Sequence, residues 1–220
     1  MARKQKTARS LQNGTPSGDA SRETEVRIIG GEFRGRRLRY HGDPVVRPMK
    51  HRTREAIFNL VGTECRGRHA IDLFAGTGAL GLEAISRGAA ATLIERHVPT
   101  ARVVRENIAS LGVEDRTTLL VTSTFLWAKR DLPAADAAPP ADVPWVVFCS
   151  PPYAFFVDQL AAMADLVGRI IEHAPVGSTL VVEGDDRLDL ERLQPAASDR
   201  APLAWDVRHY APAVIGIWRK

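Results

Sequence analysis

The sequence predicts an α/β fold in which a mostly parallel sheet carries helices on both faces. Short apolar runs of strand length alternate with amphipathic stretches of helix length, which is typical of repeated β-α-β units. A glycine-rich turn at residues 76–81 joins the first buried strand to the helix that follows it. The 220 residues suffice for one such domain with a full hydrophobic core.

The predicted sheet begins with the apolar run at 69–74, and a helix that Gly88 ends leads to a second strand at 91–95. Because parallel strands need a long crossover connection, this β-α-β unit implies a parallel sheet. The later elements are predicted in this order: helix 98–112, strand 116–123, an Ala/Pro-rich loop 133–144, strand 145–149, helix 156–173, strand 178–184, a short helix near 187–194, and strands 204–210 and 214–220.

Two segments precede the sheet and divide the chain into three predicted parts. Residues 1–24 are polar and lack periodicity, so we expect a disordered basic tail. Residues 25–62 are predicted to form a basic hairpin of two short strands, followed by a helix from about Lys50. Residues 63–220 make up the predicted α/β domain.

The composition is typical of a globular protein from a reducing compartment. No apolar run approaches the ~20 residues of a membrane span, and the N-terminus lacks the apolar core of a secretion signal. Cys65 and Cys149 are isolated, which favours reduced thiols. No His/Cys cluster has the spacing of a metal site, so we predict no metal. We therefore expect a cytoplasmic protein, and a monomer by default.

Basic residues are concentrated in the first quarter of the chain. Residues 1–54 contain 14 Lys and Arg against 5 Asp and Glu, a net charge of +9, whereas the whole chain carries +4 and the remainder therefore −5. A basic segment on an acidic body suggests a polyanionic partner that this segment contacts. The alternative is a solvated tail with no specific role, but the arginines continue into patterned sequence.

The glycine-rich turn is a candidate binding loop for a nucleoside cofactor. Gly76, Gly78 and Gly81 form a G-x-G-x-x-G motif, which lets the backbone turn sharply and approach a ligand closely. Glu95 lies 19 residues after Gly76, where an acid can accept hydrogen bonds from both ribose hydroxyls. Asp72 suits a cationic ligand and would repel a pyrophosphate, which favours S-adenosylmethionine over a dinucleotide.

A Ser-Pro-Pro-Tyr segment follows the strand 145–149, at the sheet edge where ligands bind in such folds. Proline fixes φ and has no N–H, so this segment is rigid and its carbonyl groups only accept hydrogen bonds. Such acceptors can hold the two N–H donors of an exocyclic amine and direct its lone pair at a methyl group. The tyrosine can stack on a flat base. The candidate catalytic residues are Ser150, Pro151, Pro152 and Tyr153.

These segments resemble those of a known family. The motifs RIIGGEFRGRRL, RPMKHRTREAIFN, DLFAGTGALGLEAISRGA, LIERH, RENIASL and VVFCSPPY occur in this order between residues 26 and 153. They are similar to the RsmD family of bacterial small-subunit (16S) ribosomal RNA guanine-N2 methyltransferases, and the likeness extends over about residues 26–220. It implies a Rossmann-like class I S-adenosylmethionine-dependent methyltransferase fold with a seven-stranded sheet, and methyl transfer to the N2 amine of a guanine.

The resemblance also implies roles for individual residues. The glycine-rich loop would hold the amino-acid end of S-adenosylmethionine, Glu95 its ribose, and Pro151 and Tyr153 would face the target guanine. The implied cofactor residues are Asp72, Phe74, Ala75, Gly76, Gly78, Glu95 and Ser123. The implied contacts to RNA phosphates are Arg27, Arg34, Arg36, Arg47, Arg52 and Arg54.

Three residues depart from the family's pattern. The family usually has Asp or Asn at the position of Ser150, an acid near Ser123, and Asp at the position of His51. A serine hydroxyl can still accept one amine hydrogen bond, and the lost charge costs about 1–2 kcal/mol, roughly tenfold in rate. The backbone could replace the Ser123 contact, and His51 is either a solvated residue or an added phosphate contact.

Two further features are interpreted mainly as structural. Glu183, at the end of strand 178–184, is predicted to be a structural acid, and Phe155 and Phe156 either pack in the core or line the base pocket. Three other functions stay open: a non-catalytic or altered-specificity RNA-binding protein, which Ser150 motivates, a nicotinamide-dependent oxidoreductase, and a DNA amine methyltransferase. The absence of a target-recognition domain favours RNA over DNA.

Overall fold

The computed structural model describes residues 26–40, 49–63, 65–134, 139–193 and 204–220. The predicted tail 1–24, Arg47 and part of the Ala/Pro-rich loop lie outside these ranges. The division into a segment 25–62 and a domain 63–220 therefore stays a prediction.

The strands form a small hairpin and one large sheet within the described residues. The hairpin consists of β1 (Val26–Arg27) and β2 (Arg37–Leu38), which pair antiparallel. The sheet has the order β5-β4-β3-β6-β7-β9-β8, and it is parallel from β5 to β7. Only β9 reverses direction, pairing antiparallel with β7 and β8. The seven strands are β3 (His69–Asp72), β4 (Ala90–Ile94), β5 (Thr117–Leu120), β6 (Trp145–Cys149), β7 (Thr179–Gly184), β8 (Asp206–Tyr210) and β9 (Ala213–Arg219).

Helices cover both faces of this sheet. They are α1 (His51–Val61), α2 (Ala79–Ser86), α3 (Val98–Leu111), α4 (Thr124–Arg130), α5 (Phe155–Asp158) and α6 (Leu160–His173), with 3-10 turns at Glu114–Arg116 and Glu191–Leu193. The sequence did not predict α4, and the predicted helix 156–173 is divided at Gln159, whose φ of −131° is not helical. In the described ranges, no helix combines the length and apolarity needed to cross a bilayer.

Successive side chains of each strand point to opposite faces of the sheet, so the apolar residues form two separate cores. Ala70 and Leu93 pack with α1, α2 and α3 on one face, whereas Ile71 and Ile94 pack with α4 and α6 on the other. Both faces of the central strands are buried, which explains why their sequences are continuously apolar rather than alternating. The predicted α/β fold, with its mostly parallel seven-stranded sheet, is thus confirmed.

A buried carboxylate attaches the N-terminal hairpin to this sheet. Glu83 on α2 is 0% exposed and accepts hydrogen bonds from the backbone amides of Ile29 and Gly30, both at 2.7 Å. The guanidinium of Arg87 lies 2.8 Å from it and that of Arg54 lies 3.8 Å away. Burial lowers the pKa of Arg54, and the charge of Glu83 opposes that shift. Two arginines and two amides therefore share one acid.

A glycine brings the hairpin into direct contact with the C-terminal end of α2. Gly31 has a φ of +76°, and a Cβ there would lie 1.9 Å from the carbonyl oxygen of Ser86. The neighbouring amides of Glu32 and Phe33 donate to Ser86, at 2.7 Å to its carbonyl and 2.9 Å to its hydroxyl. The backbones are thus too close for any side chain at position 31.

Replacing Glu83 by alanine should destabilise the protein strongly. The change leaves the buried Arg54 and Arg87 without their acid and orphans two backbone amides, so we expect the free energy of unfolding to fall by about 3–5 kcal/mol. Urea denaturation followed by circular dichroism measures it. The matched control is Glu106→Ala, which removes an exposed acid that pairs with Arg39 at 3.0 Å and should cost less than about 1 kcal/mol. Equal losses in both variants would contradict a central role for Glu83.

Candidate functional site

A cavity of about 490 Å³ opens at the carboxyl ends of the parallel strands. It lies where the strand order reverses, because the chain runs outward from β3 to β5 and then returns to β6. Loops that follow β3 and β6 diverge from this point and leave a crevice between them. Eight of the predicted site residues line it: Phe74, Gly76, Glu95, Ser123, Ser150, Pro151, Pro152 and Tyr153.

Glu95 is held in place by the loop it faces. Its two carboxylate oxygens accept the backbone amides of Gly76 at 2.9 Å and His97 at 2.7 Å. The side chain therefore holds the glycine-rich turn after β3 against the end of β4, and it lines the cavity. An acid fixed in this way can receive hydroxyl donors from a sugar without moving.

Three of the predicted cofactor residues do not line the cavity. Ala75 and Gly78 shape the turn, since Gly78 adopts a φ of +77° at the start of α2 and donates its amide to the carbonyl of Ala75 at 2.7 Å. Asp72 is buried, and its Oδ2 accepts the amide of Gly81 at 3.0 Å. Its Oδ1 has no hydrogen-bond partner among the described residues. An orphaned buried carboxylate oxygen beside the loop fits a cationic ligand group.

Burial also changes the acidity of Asp72. It raises the pKa of this carboxyl from 3.8 to about 7; the Gly81 amide opposes the shift, the charge of Glu95 adds to it, and the nearby Phe74 amide opposes it weakly. The same region keeps Cys149 as a neutral thiol, because burial raises its pKa. Cys65 and Cys149 are both buried free cysteines.

Three phenylalanines from separate segments form an apolar wall of the cavity. Phe74 after β3, Phe125 on α4 and Phe155 on α5 have ring centroids 6.0 to 6.1 Å apart. Such a wall suits a flat aromatic ring. Phe155 therefore lines the pocket, whereas Phe156 is buried in the core. Ser123 lies at the start of α4, where its side chain makes no capping hydrogen bond.

The Ser-Pro-Pro-Tyr segment is anchored by an acid on the neighbouring strand. The hydroxyls of Ser150 and Tyr153 donate to Oε2 and Oε1 of Glu183, each at 2.5 Å. The carbonyl of Pro152 accepts the amide of Phe155 at 2.8 Å and is thereby committed to the turn. Glu183, predicted as a structural acid at the strand end, is buried and lines the cavity beside Ser150 and Tyr153.

The predicted RNA-contacting arginines divide into two groups. Arg27, Arg34, Arg36 and Arg52 are exposed on the hairpin and on α1. Arg54 is 2% exposed, and its guanidinium donates to the carbonyl of Arg27, so the structure assigns it to the interior and it cannot reach a phosphate. Its place on α1 explains this, because it precedes Ile57 and Phe58 by three and four residues and shares their buried face.

The sequence did not single out the basic residues at the mouth of the cavity. Lys50, Arg96 and Arg187 are exposed and line it, and Arg187 pairs with Asp185 at 2.7 Å. They favour an anionic ligand near the opening. Across the described ranges, no group of three or more His, Cys, Asp or Glu residues is arranged to hold a metal ion.

Comparison with known proteins places the chain in a family. The profile of the family described as Conserved hypothetical protein 95 matches residues 26–191. The chain belongs to this family. A curated relative also matches the resemblance to the RsmD family: Ribosomal RNA small subunit methyltransferase D of Escherichia coli K12 is 35% identical to this chain over 130 residues. That alignment covers 59% of this chain and 61% of the relative, so the chain spans less than two thirds of the relative's length.

Solved structures show how the fold of the Conserved hypothetical protein 95 family relates to others. A hypothetical protein of Thermus thermophilus is 27% identical with a TM-score of 0.67, covering 89% of this chain and 99% of its own. An RNA methyltransferase from Salinibacter ruber, solved in complex with S-adenosyl-L-homocysteine, has a TM-score of 0.55 at 17% identity, covering 78% of this chain and 92% of its own. The latter likeness establishes the Rossmann-like fold alone.

Asp72→Asn should remove a pH dependence from the stability of the protein. Because the folded state raises the pKa of Asp72 to about 7 from 3.8, the acid contributes stability below pH 4, which is lost as the pH rises toward 7. The stability of the wild type should therefore fall relative to the variant over this window, by up to about 4 kcal/mol. Thermal melts from pH 4.5 to 8 measure the difference. The exposed Asp115→Asn serves as control and should follow the wild type, and parallel curves for Asp72→Asn would refute the shift.

Proposed function

We propose that this protein transfers the methyl group of S-adenosylmethionine to the exocyclic N2 amine of a guanine in small-subunit ribosomal RNA. The observation that carries the proposal is the joint placement of a nucleoside-type loop and a rigid Ser-Pro-Pro-Tyr segment in one cavity. A relative named as a small-subunit ribosomal RNA methyltransferase supports the reaction class and the substrate.

The cavity suits S-adenosylmethionine on three counts. Glu95 is fixed where it can accept ribose hydroxyls, and the phenylalanine wall can pack on an adenine. Asp72, buried beside the loop, would favour the cationic end through its charge, without direct contact with the cavity. Ser123 lines the cavity where the family's acid would contact adenine, so shape and backbone contacts would recognise this ring here. S-adenosylmethionine, when bound, supplies a methyl group that is already electrophilic.

The chain itself has to orient the amine and exclude water. The hydroxyl oxygen of Ser150 and the backbone carbonyl oxygen of Pro151 would each accept one hydrogen of the amine. The nitrogen lone pair would then point at the methyl group. The ring of Tyr153 would stack on the base, and the apolar wall would keep bulk water away. Holding the reactants in line is the main contribution, since the electrophile needs no further activation.

The exposed arginines of the hairpin and of α1 would hold the RNA backbone. Arg34 and Arg52 are exposed, and the cations at the cavity mouth would continue their positive surface toward the target nucleotide. A base enters such a cavity only when it is unstacked, and ribosomal RNA supplies unpaired bases within a preformed shape. We therefore favour RNA over DNA as the substrate.

The first test is methyl transfer from radiolabelled S-adenosylmethionine to small ribosomal subunits that lack the modification. We expect label in the RNA and N2-methylguanosine after nuclease digestion. Label in another nucleoside would contradict the guanine-N2 assignment. Cofactor binding without label on RNA or DNA would instead support a non-catalytic RNA-binding protein, the alternative that Ser150 motivates. Binding of a dinucleotide in place of S-adenosylmethionine would indicate an oxidoreductase.

Glu95→Gln should weaken cofactor binding. An amide in place of the carboxylate points one N–H group at a backbone donor, either that of Gly76 or that of His97. We expect the Kd for S-adenosylhomocysteine, measured by calorimetry, to rise about 10- to 100-fold. The exposed Glu106→Gln on α3 is the control and should leave the Kd unchanged. A Kd for Glu95→Gln within about twofold of the wild type would argue against a cofactor at this loop.

Removing arginines from the hairpin and α1 should reduce the salt dependence of RNA binding. Each phosphate contact releases counterions, so Arg34→Ala and Arg52→Ala should each lower the slope of log Kd against log salt concentration by about 1. Fluorescence anisotropy with a small-subunit RNA fragment measures the slope. Lys129→Ala removes a charge from α4 on the other face of the sheet and should leave it unchanged. Identical slopes for all variants would reject this surface as the RNA contact.

A further inference from the structure

The end of β7 places Glu183 beside Ser150, the residue that would face the substrate. Strands β6 and β7 are parallel, with Cys149 opposite Val182, so the next residues, Ser150 and Glu183, lie side by side. Oε2 of Glu183 accepts the Ser150 hydroxyl at 2.5 Å, and Oε1 accepts that of Tyr153 at the same distance. At 3% exposure, Glu183 is held by the fold and cannot swing out of this arrangement.

This contact decides which way the serine hydroxyl points. A serine hydroxyl has one hydrogen and two acceptor positions, and in the absence of a partner it rotates freely. Donation to Glu183 commits the hydrogen to the protein side, so the oxygen presents only acceptor positions elsewhere. A bond to a charged acceptor also increases the negative character of that oxygen, because hydrogen bonds in a chain polarise one another.

We propose that Glu183 is a positioning residue that acts through Ser150, making this serine an obligate acceptor for the amine of the target base. The inference rests on the proposed methyl transfer and deepens it. Without Glu183, the hydroxyl could turn its hydrogen toward the amine, where it would meet another donor or bind the lone pair that must attack the methyl group. Where the family usually has Asp or Asn at this position, the acid would thus act through Ser150 from the neighbouring strand.

The same acid sets the position of the stacking ring. Tyr153 donates to the second oxygen of Glu183, so one carboxylate holds both the serine oxygen and the tyrosine ring in position. An amine held by Ser150 and a base stacked on Tyr153 would therefore keep a fixed mutual geometry. Because one residue positions both groups, less conformational entropy has to be lost before methyl transfer.

A double-mutant cycle between positions 183 and 150 tests the proposal. Glu183→Met keeps the length of the side chain and removes both acceptors, and Ser150→Ala removes the aimed oxygen. We expect each change to lower kcat for methylation of small ribosomal subunits about 10- to 100-fold. The KM for the subunit should change little, because the RNA is held mainly by other contacts. Since both changes delete the same interaction, the double variant should be no more than a few-fold slower than the slower single variant.

Two controls separate positioning from damage to the fold. The melting temperature and the Kd for S-adenosylhomocysteine should show that each variant is folded and binds the cofactor. Tyr153→Phe removes the other hydroxyl that Glu183 accepts but leaves the ring and Ser150, so it should lower kcat less than Glu183→Met does.

The outcomes are distinct for the two proposals. A wild type that transfers no methyl group overturns the proposed function, and with it the role of Glu183 in that reaction. A wild type that is active while Glu183→Met keeps its kcat overturns the inference alone. Losses that multiply in the double variant would also overturn it, because the two residues would then act independently.

Discussion

The arrangement of the whole molecule depends on the buried acid of α2. Glu83 joins two arginines and two backbone amides at a point where the hairpin, α1 and α2 meet. The helix that carries it begins at the glycine-rich loop, so one side chain links the basic N-terminal segment to the cofactor end of the cavity. A buried charge with this many partners is costly to leave incomplete, and the fold is therefore specified strongly at this junction.

The cavity is a product of the strand order rather than of any single loop. Four adjacent parallel strands, β4, β3, β6 and β7, end at one edge, and each contributes a residue: Glu95, Phe74, Ser150 and Glu183 in that order. Because the hydrogen-bond register fixes neighbouring strand ends relative to each other, side chains distant in sequence meet at hydrogen-bond distance. Rigid strands thus provide the precision, while the loops provide the shape.

The sequence predicted the parts of this site that rest on local signals. The apolar runs and the glycine-rich turn follow from spacing alone and appear as the predicted strands and loop, and Glu95 lies against that loop. Helix α4 was not predicted, because its seven residues are too few to show a helical pattern of apolar positions. The contact of Glu183 with Ser150 could not be predicted, since it depends on the pairing of β6 with β7 and joins residues 33 positions apart. The family resemblance implied an RNA contact for Arg54, but its spacing to Ile57 and Phe58 places it on the buried face of α1.

The contact at Gly31 has a consequence for how a large substrate could be chosen. With no room between the hairpin and the end of α2, the exposed arginines and the cavity stay at a fixed separation. Under the proposed function, the protein would then select its substrate by the distance between the RNA phosphates and the extruded base. It accepts a nucleic acid whose phosphates and extruded base already match that separation, and any other must be deformed at a cost in free energy. One guanine among many would be selected by the shape of the surrounding RNA, with little need to read its neighbours.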